Sequence, residues 1–282
     1  MDSGPAHSQQ LANPNPDMPH LSRILIYPVK SLEPVSVQEV SILKSGALAD
    51  DRALAFFDAQ DKFVNGKRHP RIHHIRSAYD PFTRTLTLGR ADSPNSSKFH
   101  LDRQRTELHA WLSEFFGFPV TVKHNSEVGF PDDLDCPGPT IISAATLAEV
   151  ASWFPPLDAS QLRLRIRANL ELSGTPPFWE ERLYAAKGTR IKFRIGDVFF
   201  HGNNPCQRCV VPPRDPFTGE NYPNFAKIFA ARREQSLPAW AEKSRFNHFY
   251  RLAINTLVPE SESIRTLHVG DEIMVEGATS IG

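Results

Sequence analysis

The sequence predicts an α+β protein, mainly β with a few helices, and three observations support this fold class. Short runs rich in apolar and β-branched residues recur along the chain, whereas only three segments show helical periodicity. The chain has 282 residues, of which 40% are hydrophobic, enough for one large domain or two modest ones with packed cores. A loop between residues 125 and 139, rich in glycine, proline and aspartate, divides two β-rich halves.

The first half is predicted to hold several strands and one helix. Strands are expected at residues 21–27, 35–40, 53–57, 83–88 and 119–122, and residues 89–97 are expected to form a loop. The helix spans about residues 103–116, because Leu108, Trp111, Leu112 and Phe115 recur at i, i+3, i+4 and i+7. Gly117 can end this helix in a left-handed conformation.

The second half opens with a predicted helix at about residues 143–154, for which Ser143 is a good N-cap. Another helix is expected between residues 224 and 236, and strands at 191–200, 249–255 and 272–276. Residues 163–172 begin with alternating arginine and apolar residues, which predicts a strand with Arg163, Arg165 and Arg167 on one side. Such a face suits either a solvated edge that discourages aggregation or an anion-binding wall.

Composition narrows the classes of function. Lysine plus arginine equals aspartate plus glutamate at 32 each, and a net charge of zero argues against nucleic-acid binding. Three cysteines fit a reducing compartment, so we expect an intracellular, cytoplasmic protein, with mitochondrial association left open. No apolar run approaches the roughly 20 residues of a membrane span. Residues 1–20 resemble neither a secretory signal nor a transit peptide, and we expect a disordered tail.

The segment Cys206-Gln207-Arg208-Cys209 is the main candidate for chemistry. A thiolate is a soft metal ligand, and an adjacent arginine can lower a thiol pKa or bind a phosphate. A redox pair is a second interpretation, but it requires a helix start, which Pro212 and Pro213 disfavour. A zinc site is a third, with Cys136 and His201 as further ligands, and two inert buried thiols are a fourth.

Four motifs in order resemble MOSC-domain proteins that carry the family's N-terminal β-barrel domain, and they are similar to the mitochondrial amidoxime reducing component and its bacterial and fungal homologues. The resemblance covers about residues 21–277. The motifs are Tyr27-Pro28-Val29-Lys30-Ser31, Asp51-Arg52, Arg165-Ile166-Arg167-Ala168-Asn169, and the Cys206–Cys209 segment followed by Asp215-Pro216-Phe217-Thr218-Gly219. Ala168 stands where the family usually has proline, and Arg167 and Asn169 are retained.

The resemblance implies a MOSC N-terminal β-barrel-like domain packed on a C-terminal MOSC β-barrel domain, with a tail at 1–20 and domains at 21–125 and 126–282. It also implies a molybdenum-molybdopterin cofactor, with Cys209 as metal ligand and catalytic residue. The implied cofactor-binding residues are Lys30, Ser31, Arg52, Arg167, Asn169, Gln207, Arg208 and Tyr250. Cys206 receives no role from the resemblance, and it could pack, modulate Cys209 or oxidise with it.

The expected function is reduction of N-hydroxylated or N-oxide small molecules by oxygen-atom removal. An external electron donor, possibly of cytochrome b5 type, is expected because the chain shows no plant-type ferredoxin cysteine spacing and no glycine-rich dinucleotide turn. The alternative is a molybdenum cofactor or sulfur carrier without reductase activity. Pyridoxal phosphate is only a family-level association, because this chain has no room for the desulfurase domain of cofactor sulfurases. A third possibility is an enzyme of specialised metabolism that uses the same pocket without molybdenum.

Overall fold

The computed structural model describes residues 18–280, and over this range the chain forms fifteen strands and four α-helices. The strands of the first half are β1 His20–Ile26, β2 Val35–Val37, β3 Glu39–Ser41, β4 Leu54–Asp58, β5 Ile75–Asp80, β6 Thr85–Arg90, β7 Ser96–His100 and β8 Val120–His124. Those of the second half are β9 Ile141–Ser143, β10 Leu170–Ser173, β11 Thr189–Ile195, β12 Val198–Gln207, β13 Arg251–Leu257, β14 Thr266–His268 and β15 Ile273–Ser280. The helices are α1 Arg105–Phe116, α2 Ala144–Ser152, α3 Ala159–Ile166 and α4 Phe225–Gln235.

One sheet joins the two halves of the chain. Its eight strands run in the order β15-β11-β12-β13-β9-β10-β1-β2, so the first two strands of the protein complete a sheet built mostly from the second half. Strand β1 pairs antiparallel with β10, opposing Ile24 to Leu170, and β9 runs parallel to β10 through a crossover that contains α2 and α3. The end of β1 therefore lies beside the segment that precedes β10.

The remainder of the first half packs as a separate apolar cluster. Strands β4 and β8 pair with each other, β5, β6 and β7 form a three-stranded sheet, and α1 covers them. Leu54 and Phe56 of β4 are buried with Leu108 and Leu112 of α1. In the second half, α2, α3 and α4 share a third cluster, in which the rings of Phe154 and Phe225 stack 4.1 Å apart.

The fold class predicted from the sequence is confirmed, and the helix ends follow local chemistry. Gly117 closes α1 with a φ of 80°, in the left-handed region that glycine adopts without strain. The hydroxyl of Ser143 accepts a hydrogen bond from the Thr146 amide at 3.0 Å, which satisfies one of the free donors at the start of α2. The helix predicted between residues 224 and 236 is α4.

The strand predicted at residues 163–172 is wrong over most of its length. Residues 159–166 form α3, which begins at the N-cap Asp158, and only residues 170–172 of the predicted run lie in a strand. The short alternation of arginine and apolar residues also fits a helix, since Leu162 and Ile166 lie one turn apart and are both buried. The three arginines consequently do not share one strand face.

Other strands also differ from the sequence prediction, either in their bounds or because they were not predicted. The run predicted at 191–200 is a hairpin of β11 and β12 with Gly196 at its turn. The run predicted at 35–40 divides at Gln38, because β2 pairs with β1 while β3 pairs with β14. Strands β5, β7, β9 and β14 were not predicted, and β7 overlaps the expected loop.

The predicted tail lies almost entirely outside the described residues, and its last residue, His20, begins β1. Between residues 18 and 280, no helix has both the length and the apolar character needed to cross a membrane.

Gly202 lies in β12, the strand that runs into the cysteine segment. Its close packing can be tested by measuring protein stability. A Cβ atom at Gly202 would overlap the carbonyl oxygen of Leu183, which backbone movement alone can relieve. We expect Gly202→Ala to lower the free energy of unfolding by about 3 kcal/mol or more. The matched control Gly188→Ala meets no neighbouring atom and adopts a φ of 93°, so it should lose only about 1–2 kcal/mol. Equal losses in chemical denaturation would contradict this packing.

Candidate functional site

A cavity of about 970 Å³ opens where the two halves meet. Eight of the nine residues predicted for the site line it, namely Lys30, Ser31, Arg52, Arg167, Asn169, Gln207, Arg208 and Cys209. Tyr250 is not among the lining residues. Its carbonyl accepts a hydrogen bond from the Arg208 amide at 3.0 Å, and its ring packs against Phe229 in the apolar cluster behind the cavity wall. Burial raises the pKa of the Tyr250 hydroxyl.

The backbone near Tyr27 brings two of the predicted motifs together. The amide of Arg52 donates to the Tyr27 carbonyl and the amide of Lys30 donates to the Leu54 carbonyl, both at 2.8 Å. Ser31 and Arg52 have φ values of 74° and 52°, which non-glycine residues rarely adopt and which cost free energy. Such strained positions, held by surrounding contacts, cluster at functional sites.

Lys30 is buried and its charge is compensated inside the protein. Its Nζ donates to the Phe130 carbonyl at 2.8 Å and to the Asp132 carboxylate at 2.6 Å. Asp132 also lies 3.3 Å from the ammonium of Lys67. Burial lowers the pKa of Lys30, and Asp132 opposes this by stabilising the ammonium form. Lys30 and Lys67 therefore share one carboxylate, which leaves one positive charge at this end of the cavity.

Arg52 is held by the predicted Asn169. The guanidinium of Arg52 donates to the Asp51 carboxylate and, at 3.3 Å, to the side-chain oxygen of Asn169. Asn169 is almost fully buried, and its amide nitrogen donates to the Leu25 carbonyl of β1 at 3.0 Å. Asn169 therefore connects β1 to the arginine that faces the cavity, and its direct role is to position Arg52.

Arg167 is the least satisfied cation of the site. It follows α3 with a φ of 58°, and its guanidinium lies over the Tyr27 ring at 4.1 Å. In the part of the chain that the structure describes, this guanidinium makes no hydrogen bond and no ion pair. Burial lowers its pKa to about 10, so it remains charged at neutral pH. The side chain is partly buried, and a charge that loses hydration without gaining a partner is costly, so an anion from outside the protein would relieve that cost.

Hydrogen bonds from Arg208 hold the cysteine segment beside Arg167. The guanidinium of Arg208 donates to the carbonyls of Ile166 and Leu252 and, at 3.2 Å, to the sulfur of Cys206. Cys209 lies just past the end of β12 with its side chain partly exposed to the cavity, and among residues 18–280 its sulfur has no hydrogen-bond partner. The arrangement leaves Cys209 available to a ligand, whereas Arg208 is occupied by the backbone.

The arginines that flank Arg167 in sequence are structural. Arg163 forms an ion pair with the buried carboxylate of Glu171, with a nitrogen–oxygen distance of 2.9 Å. Arg165 is buried and donates to the carbonyls of Pro212 and Pro213, which fixes the loop after Cys209. Of the three guanidiniums, the one of Arg167 is therefore without a partner among residues 18–280.

The cavity wall is positive although the chain carries no net charge. Its lining includes eight cationic side chains, Lys30, Arg52, Lys67, Arg165, Arg167, Arg208, Arg214 and Arg251. Four carboxylates face them, Glu33, Asp51, Asp132 and Asp133. Cations gathered behind low-dielectric walls focus the electrostatic field, so the cavity is suited to an anionic ligand.

Sequence reasoning missed three features of the wall. Asp132 belongs to the loop that the sequence predicts as a boundary between the two halves, yet it contacts Lys30. His73 lies in a segment without a recognised motif and Arg214 directly precedes Asp215 of the fourth motif, and both line the cavity although neither was predicted as a site residue. Cys136 also lines it, where the amide of Asn203 donates to its sulfur at 2.8 Å and burial raises its thiol pKa to about 11.

Comparison with known proteins identifies two domains in the chain. The model of the MOSC N-terminal beta barrel domain matches residues 18–124, and the model of the MOSC domain matches residues 140–274. No curated protein sequence matches the chain. Over residues 18–280, no group of three or more histidine, cysteine, aspartate or glutamate side chains is arranged to hold a metal ion.

The different roles of Arg163 and Arg167 can be separated by stability. Arg167→Gln removes a guanidinium without a protein acceptor, so we expect the free energy of unfolding to change by less than about 0.5 kcal/mol. Arg163→Gln removes the close partner of the buried Glu171 carboxylate, leaves only Arg23 at 3.8 Å, and should cost about 1–3 kcal/mol. Urea denaturation of both variants measures the difference. A larger loss for Arg167→Gln would show that this arginine supports the fold.

His73 is expected to make stability depend on pH. Burial, with smaller contributions from Arg214 and Arg167, lowers its pKa from 6.5 to about 4. Between these values the unfolded chain binds a proton that the native protein does not, so stability falls as pH falls from 6.5 to 4. The loss approaches about 3 kcal/mol.

The pH profile of a glutamine variant tests this prediction. We expect His73→Gln to flatten the dependence of the free energy of unfolding on pH between 4 and 6.5. His74→Gln removes the adjacent, exposed histidine and should retain the wild-type dependence. Identical profiles for wild type and His73→Gln would contradict the prediction.

Proposed function

The chain belongs to the MOSC family, and from this premise we propose that it is a molybdenum-cofactor-dependent reductase of N-hydroxylated or N-oxide small molecules. MOSC domains are associated with molybdenum cofactor binding. The observation that carries the proposal is that a partly exposed thiol, Cys209, and an unpaired guanidinium, Arg167, line the same cavity. A pterin cofactor of molybdenum requires both kinds of group, since it has a phosphate at one end and a metal at the other.

The residues present fit that cofactor. The cavity volume of about 970 Å³ is near the upper end of the roughly 300–1,000 Å³ typical of ligand sites, enough for a pterin together with a small substrate. Arg167 and Arg52 would bind the phosphate, because planar guanidiniums match phosphate oxygens and Arg167 has no acceptor of its own. Cys209 would be the protein ligand of the metal, since a thiolate is the softest ligand in the wall.

The other predicted residues position the groups that would bind the phosphate and the metal of the cofactor. Asn169 orients Arg52, and Asp132 holds the ammonium of Lys30 at the cavity wall. Arg208 donates to the carbonyl of Ile166 at the end of α3, and this contact would support Cys209 and Arg167 together when the cofactor binds. When bound, the cofactor supplies the two-electron oxygen-atom removal, and the protein supplies its position and its electrostatic surroundings.

Reduction also requires electrons from outside the chain. We propose an external donor protein, of the cytochrome b5 type by resemblance, and a reducing intracellular compartment that keeps the three free cysteines as thiols. The substrate is a small molecule that enters the same cavity as the cofactor.

The two cysteines of the segment provide a matched pair for the test. We expect Cys209→Ala to lower the molybdenum content per chain at least tenfold in protein made in a host with intact pterin synthesis. Cys206→Ala should retain the metal, because Arg208 already occupies that sulfur. Benzamidoxime reduction with a chemical reductant should follow the metal content in both variants. A folded Cys209→Ala protein with full molybdenum content would refute the ligand assignment.

A sulfur-carrier function is the second candidate, and it also draws on the free sulfur of Cys209. In that case Cys209 would hold a persulfide and the chain would have no reductase activity. Mass spectrometry of the intact protein separates the two functions, because a sulfane adduct without metal indicates carriage and a metal-bearing protein without the adduct indicates the reductase.

A further inference from the structure

Arg214 lies in the cavity wall on the same segment as Cys209. Its amide donates to the Val211 carbonyl at 2.8 Å, so the chain turns between these residues, and its guanidinium donates to the Gly66 carbonyl. No carboxylate lies within 4.0 Å of this guanidinium in the described range 18–280. One carbonyl leaves most of its five N–H donors free, and those donors face a cavity.

The nearest titratable neighbour does not neutralise this charge. His73 is 9% exposed, and its Nε2 is buried without a hydrogen-bond partner among the described residues. Both Arg214 and Arg167 lower the pKa of His73, which places all three side chains in one electrostatic environment. An imidazole is either neutral or cationic, so His73 cannot compensate the positive charge of Arg214, and burial favours its neutral form.

Arg214 differs from the cations of the first half in its partners, although Gly66, whose carbonyl it contacts, also donates a hydrogen bond to the hydroxyl of Ser31. Lys30 and Arg52 follow strands of the first half, and each contacts a carboxylate, Asp132 or Asp51. Arg214 is five residues from Cys209, so its backbone lies within roughly 17 Å of that residue even for an extended chain, and the turn shortens the path. An anionic group held by Arg214 is therefore within the reach of a small molecule whose other end lies at Cys209.

We propose that Arg214 is the anion-binding subsite for the substrate and that the substrate class is N-oxygenated small molecules that carry a carboxylate. The identification of the ligand as a substrate rests on the proposed function, whereas the anion subsite itself does not require molybdenum. The carboxylate would accept hydrogen bonds from the free N–H groups of Arg214, next to the neutral His73. The N-oxygenated end would then extend towards Cys209.

The first test measures anion binding to the purified full-length chain, with its molybdenum content recorded. By titration calorimetry we expect Arg214→Gln to weaken benzoate binding at least tenfold, as befits a charge-assisted contact. Binding of inorganic phosphate, which Arg52 and Arg167 would take, should remain within about twofold. The control Arg232→Gln removes the same charge from the exposed face of α4 and should alter neither.

The second test uses the metal-loaded protein with two substrates, benzamidoxime and its derivative with a carboxylate para to the amidoxime. For Arg214→Gln we expect the KM for the carboxylate derivative to rise at least tenfold, while the KM for benzamidoxime and the molybdenum content remain unchanged.

Equal benzoate binding in wild type and Arg214→Gln would overturn the proposal. Loss of phosphate binding or of the pterin in Arg214→Gln would also overturn it, because the arginine would then serve the cofactor. Benzoate binding through Arg214 in a chain without reductase activity would refute the proposed function alone.

Discussion

The antiparallel pairing of β1 with β10 is the constraint on which the candidate site depends. It places the end of β1 beside Asn169, and the side chain of Asn169 then bonds Leu25 on one side and Arg52 on the other. Without this pairing, Asn169 would lose its contact with Leu25, and Arg52 would no longer be connected to β1 through Asn169. The cavity is accordingly a product of the shared sheet, and neither half of the chain contains it.

The positive charges and the strained backbone of the site lower the stability of the fold. Most cations of the wall are satisfied by carboxylates or carbonyls, as Lys30 is by Asp132 and Arg208 by Ile166. Among residues 18–280, Arg167 has no such partner and Arg214 has one carbonyl and no carboxylate, and three residues around Tyr27, namely Ser31, Arg52 and Arg167, adopt left-handed backbone conformations. Such local costs persist where well-packed surroundings over-determine them, and three apolar clusters supply that packing here.

Local chemistry made part of this structure predictable. The capping hydroxyl of Ser143 and the left-handed Gly117 act within a few residues, and both helix ends follow from them. Eight of the nine site residues that motif resemblance predicted line the cavity, since the resemblance preserves the identity and order of Lys30, Arg52, Arg167 and Cys209. It could not assign their partners, because the contact between Lys30 and Asp132 spans 102 residues. Alternation over five residues at Arg163–Arg167 was too short to separate a strand from a helix. The sequence did not indicate a role for His73 or Arg214, because the two residues come together only in the tertiary fold, where His73 is buried.

The eight-stranded sheet pairs strands that the ribosome synthesises at very different times. Leu25 and its partner Asn169 are 144 residues apart, so β1 leaves the ribosome roughly 7–30 s before β10 exists, at about 5–20 residues per second. Throughout that interval Leu21, Ile24 and Ile26, which the native protein buries, have no strand of the second half to cover them. The nascent chain must therefore shelter an apolar strand with an open edge, a species prone to aggregation, until its partner emerges.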